Sequence, residues 1–284
     1  MRDGLIAAIF TDMTRSGNVD LARGGPECYR EPMCTVVILR RPDHDWPLIL
    51  AANRDEMAAR PWRGPGRHWP DRENVTAGLD ELAGGTWLGV NDEGVVAGLL
   101  NRHDSLGPDP SLRSRGELVL EALDHFDAAD AADALGHLDG RGWRSFNMVI
   151  ADNRDAYWVR SLGAIANGKI EINPLAEGIS MITSGDLNDR RASRIDKNLP
   201  RFEAAPAPEP DQDDWFAWRA LLGDRGDPAS ADPREAMNVV TDFGFGTLSS
   251  TLIALPAMTR KSRKPYWRFA AGRPDEADWE IVEI

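Results

Sequence analysis

From Cys34 to its end, the chain is written in short β-rich runs broken by turn residues, with two blocks of helical pattern between them. Residues 34–39 (CTVVIL) and 48–52 are apolar runs joined by the polar stretch 40–45, which is a hairpin signal. Residues 86–90 and 95–100 repeat the pattern. Their link, Asn91-Asp92-Glu93-Gly94, puts Gly where a positive φ is needed. Residues 147–151 and 156–160 form a third hairpin around 152–155. Links this tight join antiparallel strands.

The helical blocks come in pairs. Leu118, Ala122 and Phe126 follow Ser114 and Glu117 at helical spacing, so a helix capped by Ser114 is expected there, with an Ala-rich helix over 128–138 after it. A second block is expected over 188–199, 215–222 and 233–240, and residues 206–214 read as a Pro- and acid-rich surface loop. Short strands are expected at 170–172, 179–183, 249–255, 266–270 and 279–284, and a long loop at 60–72. Paired helices between groups of strands must cover sheet faces. The expected fold class is therefore α+β: two mostly antiparallel sheets packed together with helices outside, in one domain over 33–284.

Residues 1–32 differ. A short apolar stretch at 4–10 precedes a polar segment rich in Gly and Pro, without a small-residue cleavage site. They read as an extension, either disordered or outside the translated chain, with translation starting at Met33.

Charge narrows the partners. Lys and Arg number 33 against 46 Asp and Glu, a net charge of −13, which repels phosphate backbones and anionic lipid. No run of eighteen apolar residues is present, so membrane insertion is not expected. With only Cys28 and Cys34, the chain has no disulfide scaffold, and a reducing, cytoplasmic setting is expected. Asp124, His125, Asp127, Asp130, Asp133 and His137 lack metal-site spacing and read as a solvated face. Asp242-Phe243-Gly244 has no kinase partners, Gly84-Gly85 lacks a phosphate-loop lysine, and no cofactor is expected.

Cys34 concentrates the chemistry. If translation begins at Met33, aminopeptidase trimming exposes Cys34, because a small second residue permits it. A free α-amine, with an ordinary pKa of about 7.7–8.0, then sits on the same residue as the thiol and serves as its base. Pairing with the neighbouring strand brings Asn53, Arg54 and Asp55 close: Arg54 as a cation that favours thiolate, Asp55 as a partner for the ammonium.

Several motifs in order, Met33-Cys34-Thr35, 48–56 (LILAANRDE), 77–80 (AGLD), 84–91 (GGTWLGVN), 97–101 (AGLLN) and 114–118 (SRGEL), resemble the NRDE family, also called the transport and Golgi organisation family. That family resembles the N-terminal-nucleophile hydrolases of choloylglycine hydrolase and penicillin acylase type. The resemblance implies a four-layer αββα sandwich, Cys34 as nucleophile, Asp55 beside its amine, and Asn101 as an oxyanion-hole donor. It also marks departures. Ala52 falls where those hydrolases carry an arginine, with Arg54 two residues on. Ser184 stands near an expected second asparagine, and Gly246-Thr247-Leu248 replaces Gly-Thr-Arg.

The expected site is thus Cys34, Asp55, Asn101 and Arg54, with Asn53, Trp62, Trp69, Trp87 and Ser184 contacting ligand. Two functions stand. One is a hydrolase acting on a carbon–nitrogen amide or related acyl bond of a small molecule, other than a peptide bond. The other is a binding or trafficking protein for haem or a lipid-like ligand on the same fold. Oligomeric state is not legible.

Overall fold

A computed structural model describes residues 34–103, 105, 109–229, 235–262 and 264–284. The extension at 1–32 and Met33 lie outside the described residues.

The first six-stranded sheet runs in the order β10-β1-β2-β11-β12-β13. Its members are β1 (Thr35–Arg40), β2 (Leu48–Met57), β10 (Gly178–Ile182), β11 (Phe245–Leu255), β12 (Tyr266–Ala270) and β13 (Trp279–Ile281). The second sheet has seven strands in sequence order: β3 (Trp62–Gly66), β4 (Val75–Asp80), β5 (Leu88–Asn91), β6 (Val96–Asn101), β7 (Phe146–Ala151), β8 (Ala156–Ser161) and β9 (Ile170–Pro174). Every pairing is antiparallel. Among the described residues, four α-helices flank them: α1 (Gly116–Leu123) and α2 (Ala128–Gly136) on the second sheet, α3 (Ser193–Ala204) and α4 (Phe216–Leu222) on the first.

The apolar runs are continuous, not alternating, because the central strands are buried on both faces. Val36, Ile38, Leu48 and Leu50 join Val90, Val96 and Val149 in the core between the sheets. Val37, Leu39, Ile49 and Ala51 face Ile195, Phe202 and Trp218 of the helix layer. The second sheet does the same, with Phe146, Met148 and Ile150 turned to Leu118, Leu123 and Leu135. The four layers are therefore α, β, β, α, as the element order requires.

Local departures have local causes. Residues 60–72 are not all loop: Trp62–Gly66 forms an edge strand with a register shift before Gly66, where Pro65 costs no central hydrogen bond. Strand β4 was not expected at all. Strand β2 runs on through Met57, because β11 pairs with it over its whole length. Ser114 does not cap α1 through its side chain; the cap is Arg115, and only the Ser114 carbonyl takes the Glu117 N–H. Helix α3 begins at Ser193, after Asn188 adopts φ +54°. No helix covers 236–240; Val240 instead bridges to Gly246. Of the rest of that expected helix, Glu235 is a single 3-10 position, and 233–234 lie outside the described residues.

Two of the sequence motifs meet backbone to backbone. A Cβ on Gly85 would stand 2.7 Å from the Gly116 carbonyl carbon, and one on Gly116 would stand 2.9 Å from the Thr86 nitrogen. Only glycine permits this approach, which fixes the start of α1 against the 84–87 turn. Gly85→Ala is expected to cost about 1–3 kcal/mol of stability in urea denaturation. An unchanged midpoint would mean that the contact is loose.

Candidate active site

Cys34 precedes β1, on the inter-sheet face, at the floor of a cleft of about 360 Å3. Its Sγ is 3.3 Å from the Asp55 N–H and 3.4 Å from the Asp55 carbonyl oxygen. Thr35 pairs with Asn53, so the register puts Cys34 beside the Arg54–Asp55 step of β2. Burial, and then the Asp55 charge, push the Cys34 thiol up to about 12. As a residue within the encoded chain, Cys34 is therefore a protonated thiol at neutral pH.

The Asp55 carboxyl turns to the helix side. Oδ1 accepts from Thr247 Oγ1 at 2.6 Å, and Oδ2 from Arg194 Nη1 at 3.2 Å. The same Arg194 nitrogen donates to Thr35 Oγ1 at 2.9 Å. The Val239 N–H donates to Thr247 Oγ1 at 2.8 Å and so directs the Thr247 hydroxyl hydrogen at Asp55. Burial raises the Asp55 carboxyl to about 6, with Arg194, Thr247 and Arg54 opposing the rise. The carboxyl is thus held on the helix side of β2 by Thr247 and Arg194.

Arg54 lies on the other face of β2, 7% exposed, its guanidinium 4.3 Å from the Trp87 ring centroid and 5.9 Å from that of Trp62. Its Nη1 is buried without a hydrogen-bond partner among the described residues. Trp87 is seated on Gly78, where a Cβ would come within 2.3 Å of the indole. Asn101 ends β6, lines the cleft, and its side chain makes no hydrogen bond among the described residues. Among the described residues no cluster of His, Cys, Asp and Glu could hold a metal ion.

Residues 33–256 match the profile of one protein family, Transport and Golgi organisation 2. The chain belongs to that family. It is 39% identical over 115 residues to the Mus musculus Transport and Golgi organization 2 homolog, and 40% over 114 residues to the Bos taurus homolog. Each alignment covers 37% of this chain and 38% of the relative, so the matched stretch spans well under half of either protein. Solved structures that resemble it include a Caenorhabditis elegans N-acylethanolamine-hydrolyzing acid amidase ortholog. That match has a TM-score of 0.49, 15% identity, and covers 78% of this chain and 92% of that one. Another is penicillin V acylase from Agrobacterium tumefaciens, with a TM-score of 0.44, 13% identity, and coverage of 88% and 98%.

In this Transport and Golgi organisation 2 family chain, Cys34, Arg54, Asp55, Asn101 and Trp87 gather around one cleft. Four other expected ligand contacts are placed elsewhere. Asn53 is 1% exposed, with its amide donating to Leu222 and Met237 carbonyls and its oxygen accepting from Ser250; it ties β2 to the segments after it. Ser184 is buried with its hydroxyl on the His103 ring, because Asn147 pins its loop through the Thr183 and Gly185 carbonyls. Trp69 packs on the helix-side core and donates to the Gly84 carbonyl. Trp62 stands behind Trp87, edge-on at 5.8 Å, and braces it.

Arg115, Arg194 and Thr247 were missed as site residues. Arg194 left a signal: with Asn198 and Phe202 it lies on a buried stripe at i, i+4, i+8, and a charge on such a stripe calls for a partner. Arg115 stood inside a motif that read as a helix start.

Proposed function

We propose that this chain is an amidohydrolase of the N-terminal-nucleophile type, acting on a carbon–nitrogen amide or related acyl bond of a small molecule once Cys34 is the first residue. The observation that carries the proposal is the Cys34 thiol in the cleft, against the backbone of Asp55, at the very start of a strand. The family match, which starts one residue before Cys34, supports the same reading.

In the reaction, the α-amine of Cys34 takes the thiol proton and becomes an ammonium beside Asp55. The thiolate attacks the substrate carbonyl, forming a C–S bond and a tetrahedral oxyanion, with Asn101 as a donor to that oxygen. Collapse breaks the C–N bond, and the ammonium returns its proton to the leaving amine. Water, deprotonated by the amine, then cleaves the thioester to release the acid and restore the thiol.

Replacing Cys34 with Ala removes the nucleophile and is expected to abolish turnover of a panel of small amides; undiminished hydrolysis would sink the proposal. Asn101→Ala is expected to lower kcat by about 10²–10³ with little change in KM, because the oxyanion forms after binding. A rise in KM at constant kcat would assign Asn101 to ground-state binding instead.

A further inference from the structure

The chain carries a net charge of −13, yet five arginines line the cleft before Cys34: Arg54, Arg60, Arg113, Arg115 and Arg144. Two are neutralised. Arg60 meets Asp80 at 2.6 Å, and Arg113 meets Glu117 at 2.7 Å. Arg144 reaches Asp109 only at 3.8 Å, and its Nε is buried without a hydrogen-bond partner among the described residues. Arg115 has no carboxylate partner among the described residues; its Nη1 donates to the neutral Ser105 Oγ and Ser145 carbonyl, both at 2.9 Å.

Burial, then repulsion from Arg144 and Arg60, pull the Arg115 guanidinium down to about 10, so it stays charged at neutral pH. Asp55, Glu56, Asp80 and Asp109 also line the cleft, but Arg115 and Arg144 make no hydrogen bond to a carboxylate among the described residues, so an anion placed between them would relieve like charges in a partly desolvated site. Arg54, more than nine-tenths buried, reaches Glu56 only at 3.9 Å through Nη2, and its unpartnered Nη1 adds an open donor in the same cleft. Leu82, Leu99, Leu112 and Trp87 supply apolar lining beside this charge, with Leu82 68% exposed.

We infer that the ligand of this cleft is an amphiphilic amide carrying a carboxylate or similar small anion, as in an N-acyl amino acid, with the anion on Arg115 and Arg144 and the acyl part along Leu82, Leu99 and Leu112. Cleavage of that amide rests on the amidohydrolase reading; binding does not. The test therefore uses calorimetric binding to the Cys34→Ala protein, with turnover by the intact protein measured separately.

The probes are N-acylglycines from butyryl to lauroyl, each paired with the neutral N-acylethanolamine of the same chain. The anionic member is expected to bind about tenfold or more tightly, a preference that salt weakens. R115Q should remove that preference, and R115K should restore part of it. Because Arg115 also holds Ser105 and Ser145, R144Q is the second variant; its guanidinium makes no hydrogen bond to the protein among the described residues. Equal binding of the paired probes, no binding of any acylglycine at millimolar concentration, or a preference untouched by both variants would overturn the inference. Charge-selective binding without turnover would retain it and count against the hydrolase reading alone.

Discussion

A chain that begins at Cys34 is expected to react with iodoacetamide at pH 7.5 at least about a hundred times faster than the same chain with one or more residues ahead of it. With Cys34 in peptide linkage, the thiol stands at about 12. The thiolate fraction at pH 7.5 is then of order 10⁻⁴ to 10⁻⁵, and only thiolate is alkylated. Freeing the α-amine replaces a neutral amide with a cation on the same residue, next to the buried Asp55 group. Cysteines with an adjacent cation titrate at about 3.5–7.5. Arg54 supports the same anion from the inter-sheet side, and it is one of the groups that already pull the thiol down. Equal rates would show that the amine does not activate Cys34.

Asp55→Asn is expected to lower turnover by about 10²–10⁴ while leaving the protein folded. The amide keeps the shape, and its oxygen can still accept from Arg194 while its NH2 faces the Thr247 hydroxyl, but it cannot balance the ammonium. The acid limb of kcat/KM should lie below pH 6 in the wild type, because the ammonium of a chain that starts at Cys34 pulls Asp55 down from the value of about 6 it has with Cys34 in peptide linkage, and be absent in the variant. Stability carries the same signature. The folded carboxyl, at about 6, lies above its ordinary 3.8 because burial disfavours the charge. Folding therefore favours the protonated form: the contribution is complete below about pH 4 and is lost as pH rises through 6, by about 3 kcal/mol. With Cys34 in peptide linkage, the stability of the wild type relative to Asp55→Asn should fall by most of that amount between pH 4 and pH 7. A difference independent of pH would mean that the carboxyl is hydrated in the folded protein.

Much of this arrangement could be read from the chain. The runs at Val36–Leu39 and Leu48–Ala51 are continuous because their strands have a core on each side, and that doubly buried pattern implies more than two layers. Gly94, at φ +88°, fits its turn for the reason its position suggested. The Cys34–Asp55 contact followed from one hairpin register. The misses come from long-range pairing, which local pattern does not encode. Asn53 looked like a ligand group because it stood beside Arg54 and Asp55, but strand alternation turns it to the helix side, where two carbonyls and Ser250 use its amide. Strand β4 was invisible because AGLD is weak in β propensity and is held by its two neighbours. Arg194 lies 139 residues from Asp55, and no spacing rule joins them.

The most direct test of Cys34 as nucleophile is mass spectrometry of the acyl adduct. The chain beginning at Cys34 is mixed with an N-acylglycine and quenched in acid within the first turnover, and its peptides are mapped. The account predicts an added acyl group on the peptide that starts with Cys34, held as a thioester in acid and carried to the α-amine of the same residue in mild base, and absent when a residue precedes Cys34. Hydrolysis that proceeds with no adduct on Cys34, or with the adduct on another residue, would contradict it.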